Sequence, residues 1–388
     1  MSYFPHQLKA ADATAKLLQE HGLAAIWGLP RTGKSRTSLR AAELNGAESV
    51  LILTKKAAIL GWESEIKAAA PSFEVTIKNY EQAKNITGEF DLAIIDESHN
   101  LGKRGKPTNR VKEIRKLCYH LPCIFLSGTP TIETQLGIYH QFVVTKHSPF
   151  GRFKNFYDFF NTYGIPDPVW IGGRSVMQYK KSRDTLAPLV EKYAVRIDQD
   201  DAGIKHKAQD VIHRVMLEES TKTMIKDILK EGVFENFYFD TDIGCRSAAH
   251  QIESGAILFE DKQIMLPNIE VVDYLKRHFG DTEDVAYFTH YRSTREKLRR
   301  HFKKATLLSS VAHAEGFDAS QFKHVVLVNT AFSGAKFAQV RERATNINRT
   351  TECLVHHIVC ENAVSAQVYE AVSQKKDFNL AAFRRFRA

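Results

Sequence analysis

Residues 24–35 read Ala24-Ala25-Ile26-Trp27-Gly28-Leu29-Pro30-Arg31-Thr32-Gly33-Lys34-Ser35. We expect a short apolar strand that turns through a loop into a helix at residues 37–42. The spacing from Gly28 to Gly33, Lys34 and Ser35 is typical of a phosphate-binding loop. In such a loop backbone N–H groups surround the phosphates, the lysine reaches the β- and γ-oxygens, and the hydroxyl binds Mg²⁺. The alternative is a glycine-rich turn followed by Lys-Ser through coincidence.

One position departs from the usual loop, because Arg31 stands where a further glycine is common and leaves the backbone less free. Eight residues of this region are predicted to contact the nucleotide: Gly28, Pro30, Arg31, Thr32, Gly33, Lys34, Ser35 and Arg36. Of these, Ser35 is also a predicted Mg²⁺ ligand.

The first part of the chain, residues 1–145, alternates apolar strands with loops and helices. The candidate strands lie at residues 24–27, 49–53, 74–78, 91–95 and 123–126. Continuous runs of Ile, Leu and Val separated by helices favour a parallel sheet that is covered on both faces. The same alternation returns in residues 266–388, with strands at 285–288, 306–308, 324–329 and 354–359 and helices at 269–279 and 294–302. The predicted fold class is therefore α/β, with two parallel-sheet lobes.

Between these lobes, residues 146–265 are predicted to form helical insertions and a linker, with helices near 184–193 and 220–230. Aromatic and basic side chains crowd together at residues 150–163, and Gly172 and Gly173 indicate a turn. The aromatic cluster favours a small core for the insertion over a surface on which bases stack.

Length and composition bound the class of protein. A chain of 388 residues is longer than a single core usually grows, and 43% apolar with 26% charged residues is typical of a folded globular protein. Fifty-four basic against 45 acidic side chains leave a net charge of +9, which favours a polyanionic partner.

The five cysteines show no paired spacing, which favours free thiols in a reducing compartment over a zinc site. The start of the chain has no apolar signal core, and no window is long enough to span a bilayer. The expected location is intracellular, with no membrane partner.

Two carboxylates follow the apolar run 91–95, at Asp96 and Glu97, and Ser98 and His99 come next. The carboxyl ends of parallel strands are where ligands collect. Phosphoryl chemistry needs one carboxylate in the metal shell, here Asp96, and a second group that activates water, here Glu97. An acidic, solvated strand end is the alternative.

The next strand ends in Ser127-Gly128-Thr129-Pro130. This segment is suited to relay the state of the nucleotide from the carboxylates to a nucleic-acid surface, although alone it is an ordinary turn.

In order and spacing, Gln7, the phosphate loop, residues 96–99 and residues 127–130 resemble the N-terminal half of a superfamily 2 helicase or translocase. Within that superfamily they look most like the Swi/Snf-type branch and its annealing-helicase members, which share Asp-Glu-Ser-His. Supporting segments are 4–7, 51–55 with Trp62 and Glu65, 79–81, and 193–196. The compact chain is similar to a minimal, bacteriophage-type member.

This resemblance implies two RecA-like lobes with ATP and Mg²⁺ between them and DNA across both. It implies that Gln7 reads the adenine, that Lys55 and its neighbours line the nucleic-acid track, and that His99 couples hydrolysis to movement. In the second lobe, residues 287–291 resemble the opening strand, and Gly316 and Asp318 look like a segment that contacts nucleotide and nucleic acid.

The segment 339–349 has the family's spacing from Gln339 to Arg343, so the resemblance implies that Arg343 contacts the γ-phosphate. A second arginine is expected where Asn346 stands, and Arg349 or Arg341 is a candidate replacement. A solvated basic helix is the alternative for these last two. The basic, aromatic tail at residues 383–387 could contact phosphate, although a frayed terminus is the commoner explanation.

The function that follows is an ATP-dependent DNA translocase or helicase that contacts the nucleic-acid backbone with little sequence preference. Three alternatives stay open: an RNA-dependent DEAD/DEAH-type helicase, an ATP-binding nucleic-acid scaffold with little turnover, and a P-loop ATPase that acts on no nucleic acid.

Overall fold

The computed structural model describes residues 3–128, 130, 131, 134–171, 174–234, 237–311, 319–345, 349 and 351–374. By its internal contacts the chain divides into two units, Met1–Gly203 and Ile204–Ala388, which we call the N-terminal and C-terminal units. The expected boundaries near residues 145 and 265 stay a prediction about how the chain is organised.

The N-terminal unit is an α/β structure. Its helices are α1 (Pro5–His21), α2 (Lys34–Leu44), α3 (Ile59–Ala69), α4 (Asn109–Cys118), α5 (Ile138–Phe142), α6 (Phe156–Tyr163) and α7 (Leu186–Glu191). Its strands are β1 (Leu23–Gly28), β2 (Ser49–Thr54), β3 (Glu74–Asn79), β4 (Leu92–Ile95), β5 (Cys123–Ser127), β6 (Gly164–Ile171), β7 (Arg174–Ser182) and β8 (Ala194–Ile197).

Six of these strands form one parallel sheet in the order β3-β2-β4-β5-β1-β8. Successive residues of β1 enter opposite cores, because Leu23 and Ala25 pack on one face and Ala24 and Ile26 on the other. A sheet covered on both faces needs apolar residues at every position, which explains the continuous Ile/Leu/Val runs. Since β5 separates β1 from β4, the phosphate loop and the carboxylates lie at the same edge of the sheet, one strand apart.

The C-terminal unit repeats the plan. Its helices are α8 (Glu219–Glu231), α9 (Asp242–Ile252), α10 (Glu270–His278), α11 (Arg292–His301), α12 (Gly334–Arg341) and α13 (Val364–Ser373). Its strands are β9 (Ala208–Val215), β10 (Val233–Phe234), β11 (Phe237–Tyr238), β12 (Ala256–Phe259), β13 (Lys262–Met265), β14 (Val285–Thr289), β15 (Thr306–Ser309), β16 (His324–Leu327) and β17 (Cys353–Cys360). Five strands make a parallel sheet in the order β15-β14-β16-β17-β9.

The structure confirms the α/β prediction, with two parallel sheets that are flanked by helices. The predicted strands and helices are present, and their ends differ from the expected ones by at most two residues, except that α2 begins at Lys34, three residues before the predicted start at residue 37. The segment 146–265 contains helices α6 to α9 and also strands that the sequence did not reveal. Of these, β8 joins the first sheet beside β1 and β9 joins the second beside β17.

The aromatic cluster of residues 150–163 is a core, as expected, but not a separate one. Phe150 and Phe159 are fully buried and belong to the same core as Phe125 of β5 and Phe142 of α5. The predicted turn at Gly172 and Gly173 lies outside the described residues, as does the tail at 383–387. All five cysteines are free thiols. Among the described helices, none combines the length and apolarity needed to cross a bilayer.

Candidate nucleotide site of the N-terminal unit

The phosphate loop closes around its own lysine. The Nζ atom of Lys34 donates hydrogen bonds to the carbonyl oxygens of Gly28, at 2.7 Å, and Leu29, at 3.0 Å. Gly33 caps the N-terminus of α2 with φ +83°, a backbone conformation that glycine adopts without strain. The ammonium group and the first N–H groups of α2 therefore face the hollow of the loop, which is the donor set that a phosphate needs.

Arg31 adopts φ +70°, in the left-handed region. Arg31, which the sequence shows where a further glycine is common, therefore has a backbone conformation that glycine would adopt without strain. Glu97 shares this property, with φ +49°. Non-glycine residues in this region cost on the order of 1 kcal/mol and gather at functional sites.

The start of α1 packs onto the loop. A Cβ placed on Gly33 would lie 2.2 Å from Nε2 of Gln7, so the end of the Gln7 side chain lies directly against the loop. Oε1 of Gln7 accepts a hydrogen bond from the N–H of Phe4 at 3.0 Å, and Nε2 of His6 lies 3.2 Å from the carbonyl of Thr32. Gln7 is thus held beside the loop, and its contact with adenine stays a prediction.

Asp96 is buried at the end of β4, and its oxygens are held by neighbours. Thr54 Oγ1 and Trp62 Nε1 donate to Oδ2 at 2.8 and 2.9 Å, and the N–H of Glu97 donates to Oδ1 at 2.9 Å. The buried Tyr80 hydroxyl donates to the main-chain oxygen of Asp96. Burial and the charge of Glu97 raise the pKa of Asp96, while the bonds from Trp62 and Thr54 and the charge of Lys34 oppose that rise.

The pKa of Glu97 shifts in the opposite direction, downward. Burial alone would raise its pKa, but the hydrogen bond and charge of His99, with the charges of Lys34 and Lys55, lower the pKa of Glu97 to about 2. Nδ1 of His99 lies 3.2 Å from Oε2 of Glu97 and 3.0 Å from Oγ of Ser127. Nδ1 of His99 therefore contacts both the Glu97 carboxylate and the Ser127 hydroxyl at the end of β5.

A second connection runs through α5. The hydroxyl of Ser98 donates to Oε1 of Gln141 at 2.9 Å, and Nε2 of Gln141 donates to the carbonyl of Pro130 at 2.7 Å. Residues 96–99 are thus joined to both ends of the segment 127–130, which was predicted as a relay. Thr129 lies outside the described residues.

The donors fit ATP and Mg²⁺. The lysine and helix amides suit phosphate oxygens, while the half-buried hydroxyl of Ser35 and the carboxylate of Asp96 are the hard oxygen ligands that Mg²⁺ prefers. Arg36, predicted as a nucleotide contact, is instead engaged by Glu65 of α3, whose Oε2 accepts from Nε and from one terminal nitrogen, each at 2.9 Å.

The C-terminal unit holds the predicted arginines in different surroundings. Arg349 is buried, and its guanidinium donates to the main-chain carbonyls of Ser320, Phe322, Ala344, Thr351 and Glu352 at 2.8–3.3 Å. Such a guanidinium fastens loops together and has its donors committed, which is not the surrounding that a γ-phosphate contact needs.

Arg341 is committed as well, because its Nε donates to both carboxylate oxygens of Asp210 at 2.8 and 2.9 Å and it also contacts Glu342. Arg343 is half-buried in the 3-10 turn Glu342–Ala344. Gly316, Asp318 and Asn346 lie outside the described residues.

Three contacts of the site were missed from the sequence. Thr54 and Trp62 were noted only as part of the family resemblance, without a role. Trp62 is the one buried side chain of α3, and a lone tryptophan in a surface helix is a signal that could have found it. For Gln141 no sequence signal exists, because glutamine in a helix is ordinary.

No protein family model matches this chain. Among solved structures, it is similar to the SWI2/SNF2 ATPase core domain of Sulfolobus solfataricus, with 14% sequence identity, a TM-score of 0.44, and coverage of 97% of this chain and 89% of that chain.

Proposed function

We propose that this chain is a superfamily 2 ATPase of Swi/Snf-like type that couples ATP hydrolysis to movement on DNA or to its remodelling. One observation carries the proposal. At the carboxyl edge of a single parallel sheet, the phosphate loop with Lys34 lies one strand away from the acidic end of β4, and the charge of Lys34 helps lower the pKa of Glu97 and opposes the rise in the pKa of Asp96. A phosphate-binding cation beside a buried carboxylate and a partly buried one is the arrangement that phosphoryl transfer requires.

In this proposal Lys34 and the N-terminus of α2 bind the β- and γ-phosphates, and Ser35 and Asp96 hold Mg²⁺. Bound Mg²⁺ would neutralise charge on the phosphate oxygens. Gln7 contacts the adenine, and Arg343 of the C-terminal unit contributes the positive charge that the γ-phosphate needs. Arg349 is assigned a positioning role, because it donates to the carbonyl of Ala344, which follows Arg343, and to that of Ser320, whose neighbour Ala319 donates its N–H to the Arg343 carbonyl.

Glu97 is the residue that orients and deprotonates the attacking water. With His99 against it, the pKa of Glu97 is about 2, so the carboxylate is ionised but weakly basic. If the His99 ring turns so that Nδ1 keeps its contact with Ser127 but leaves Glu97, Glu97 loses the interaction that lowers its pKa and becomes a stronger base. His99 thereby makes hydrolysis depend on the position of residues 127–130, which we propose respond to nucleic acid.

The experiment is an ATPase assay run in parallel with no nucleic acid, single-stranded DNA, duplex DNA, forked DNA and RNA. We expect stimulation by DNA, and Lys34→Ala should abolish all ATP-dependent activity because the phosphate contact is lost. If RNA alone stimulates, the substrate is RNA. If no nucleic acid changes the rate, the coupling to nucleic acid is refuted.

A nucleic-acid scaffold that binds ATP with little turnover is the second candidate. The observation that favours it is that the guanidinium groups of Arg341 and Arg349 are both engaged by other parts of the C-terminal unit. Turnover that stays at background with saturating DNA would select this candidate.

A further inference from the structure

Strands β6 and β7 form an antiparallel hairpin that is anchored at one end. The hairpin pairs Gly164 with Ser182 at its base and Ile171 with Arg174 at its far end. At the base, the Tyr179 ring packs edge-on against Phe160, with ring centroids 4.8 Å apart. A Cβ on Gly164 would lie 2.1 Å from the Phe160 ring, so this glycine allows the strand to start directly on the core. The hairpin is thus fixed to the N-terminal unit.

Its far half is solvent-exposed on both faces. Trp170 pairs with Ser175 and Val169 with Val176, and neighbouring pairs point to opposite faces of the hairpin. Trp170 is 77% exposed, and Val176 is 44% exposed on the other face. An isolated two-stranded hairpin gains little from burying apolar surface, so an indole left in water at this position is unfavourable unless it meets a partner.

The charge of the hairpin indicates the chemistry of that partner. The hairpin, residues 164–182, contains three basic side chains, Arg174, Lys180 and Lys181, against the single acid Asp167. Asp167 pairs with Lys181 at 2.9 Å, and the side chains of Arg174 and Lys180 are exposed. An exposed aromatic ring on a hairpin that also carries exposed cations matches single-stranded nucleic acid, whose bases stack on rings and whose phosphates bind lysine and arginine.

We propose that the β6–β7 hairpin binds single-stranded nucleic acid, with the Trp170 indole stacked on a base and the exposed Arg174 and Lys180 supplying positive charge for the phosphates of the same strand. The inference rests on the proposed function and deepens it, because a hairpin that holds one strand gives the motor an element that engages a junction where duplex and single strand meet. A duplex presents no free base face to Trp170, so the hairpin favours single strands over duplex.

The chain allows a direct optical test. It contains three tryptophans, of which Trp27 and Trp62 are 4% and 3% exposed, so Trp170 is the one whose indole is open to a base. Oligo(dT), which forms no duplex, is titrated into the full chain without ATP while tryptophan emission is recorded. We expect saturable quenching that weakens with salt and is absent in Trp170→Phe, which retains binding in a fluorescence-independent assay.

Affinity is measured in parallel by anisotropy of a labelled oligonucleotide. Trp170→Ala should weaken oligo(dT) binding about 5- to 150-fold, which is the range for loss of one stacked base. Its effect on duplex binding should be smaller, and Trp170→Phe should keep most of the affinity. Tyr238→Ala is the matched control, since Tyr238 is an aromatic residue, 67% exposed, on a short hairpin of the C-terminal unit.

The assignment is wrong if the parent, Trp170→Ala and Trp170→Phe bind oligo(dT) with equal affinity and oligo(dT) does not change the tryptophan emission of the parent. That result would leave DNA-stimulated ATPase activity, and so the proposed function, untouched. If DNA does not stimulate the ATPase activity of the parent chain but oligo(dT) still quenches its tryptophan emission, the proposed function alone is overturned. If sedimentation shows that Trp170→Ala converts an oligomer to a monomer without changing oligo(dT) affinity, the hairpin is a protein interface and the proposal is wrong.

Discussion

The indole Nε1 of Trp62 donates a hydrogen bond to Oδ2 of Asp96 at 2.9 Å, which ties helix α3 to the acidic end of β4. Trp62 is the buried residue of a helix whose other side chains are partly or fully exposed. The bond opposes the rise in the pKa of Asp96 that burial produces. The segment after β2 therefore helps keep the first carboxylate ionised, which is the form that Mg²⁺ needs.

Trp62→Phe should raise the Mg²⁺ concentration required for half-maximal ATPase activity, and most strongly at acidic pH. The pKa of Asp96 rises further without the indole bond, so less of the carboxylate is ionised as the pH falls. We expect the acidic limb of the pH–rate profile to move to higher pH. Mg²⁺ titrations at several pH values measure both effects.

Trp27→Phe is the matched control, because the Trp27 Nε1 is buried and makes no hydrogen bond within the described part of the chain. It removes an indole N–H of the same unit without touching Asp96. A shift of equal size in both variants would show that general loosening of the core, and not the bond to Asp96, is responsible.

The sequence sufficed for those parts of the site whose chemistry is local. Lys34 and Ser35 lie within one loop, and Asp96 directly follows an apolar strand, so their roles follow from short segments. The supporting contacts depend on tertiary structure. Thr54 reaches Asp96 across adjacent strands, and Gln141 joins Ser98 to Pro130 from a helix that no motif identifies.

Glu97→Gln should permit ATP binding and stop turnover. The amide has the size of the carboxylate but cannot accept the proton from water, so we expect the rate to fall about 10²- to 10⁴-fold. Nucleotide affinity, measured by equilibrium binding, should change little. Normal turnover in this variant would refute the assignment of Glu97 as the base.

Ser127→Ala should weaken the response to DNA more than it weakens ATP binding. Without the hydroxyl, Nδ1 of His99 keeps Glu97 as its remaining close partner of the two, so Glu97 stays weakly basic. Loss of one hydrogen bond, about 1.4 kcal/mol, corresponds to a decrease of roughly tenfold in the stimulated rate. Rates with and without DNA test this, and an unchanged ratio between them would contradict the relay.

Arg343→Ala and Arg349→Ala should fail in different ways. Removing Arg349 leaves the buried carbonyls of Ala344 and Phe322 with fewer hydrogen-bond donors. Each group left unsatisfied lowers the free energy of unfolding by about 1–3 kcal/mol, so we expect a large fall in melting temperature. Removing Arg343 should reduce hydrolysis far more than ATP affinity, with a smaller change in melting temperature. If Arg349→Ala folds normally and loses hydrolysis selectively, the assignment of the two arginines must be exchanged.

The middle of the chain shows why the remaining fold escaped prediction. Ala194–Ile197 and Ala208–Val215 lie in a region that we expected to be helical insertion and linker, yet each adds an edge strand to a sheet. The first of these, Ala194–Ile197, has four residues that are mostly part-exposed, so it shows little hydrophobic pattern. Its position in the sheet is decided by pairing with a strand that is distant in sequence. The β6–β7 hairpin was missed for a related reason, since Pro166 and Pro168 argue against a strand.

The last prediction concerns acid stability. In the C-terminal unit, Nδ1 of His356 lies 2.9 Å from Nε2 of His213, and its Nε2 lies 3.2 Å from Nδ1 of His324. Burial, with the charges of His213, His324 and His357, lowers the pKa of His356 to about 4. The unfolded chain, where the pKa is about 6.5, therefore binds this proton more readily, so the stabilisation is complete above about pH 6.5 and is lost as the pH falls through 4. The side chain of His356→Gln cannot titrate, so the free energy of unfolding of this variant should change less than that of the parent over this interval, by about 3 kcal/mol.

Denaturant unfolding at pH steps from 7 to 4 measures the difference, and His120→Gln, at an exposed histidine, should follow the parent. Parallel curves for His356→Gln and the parent would contradict the prediction, because the proton would then be taken up elsewhere.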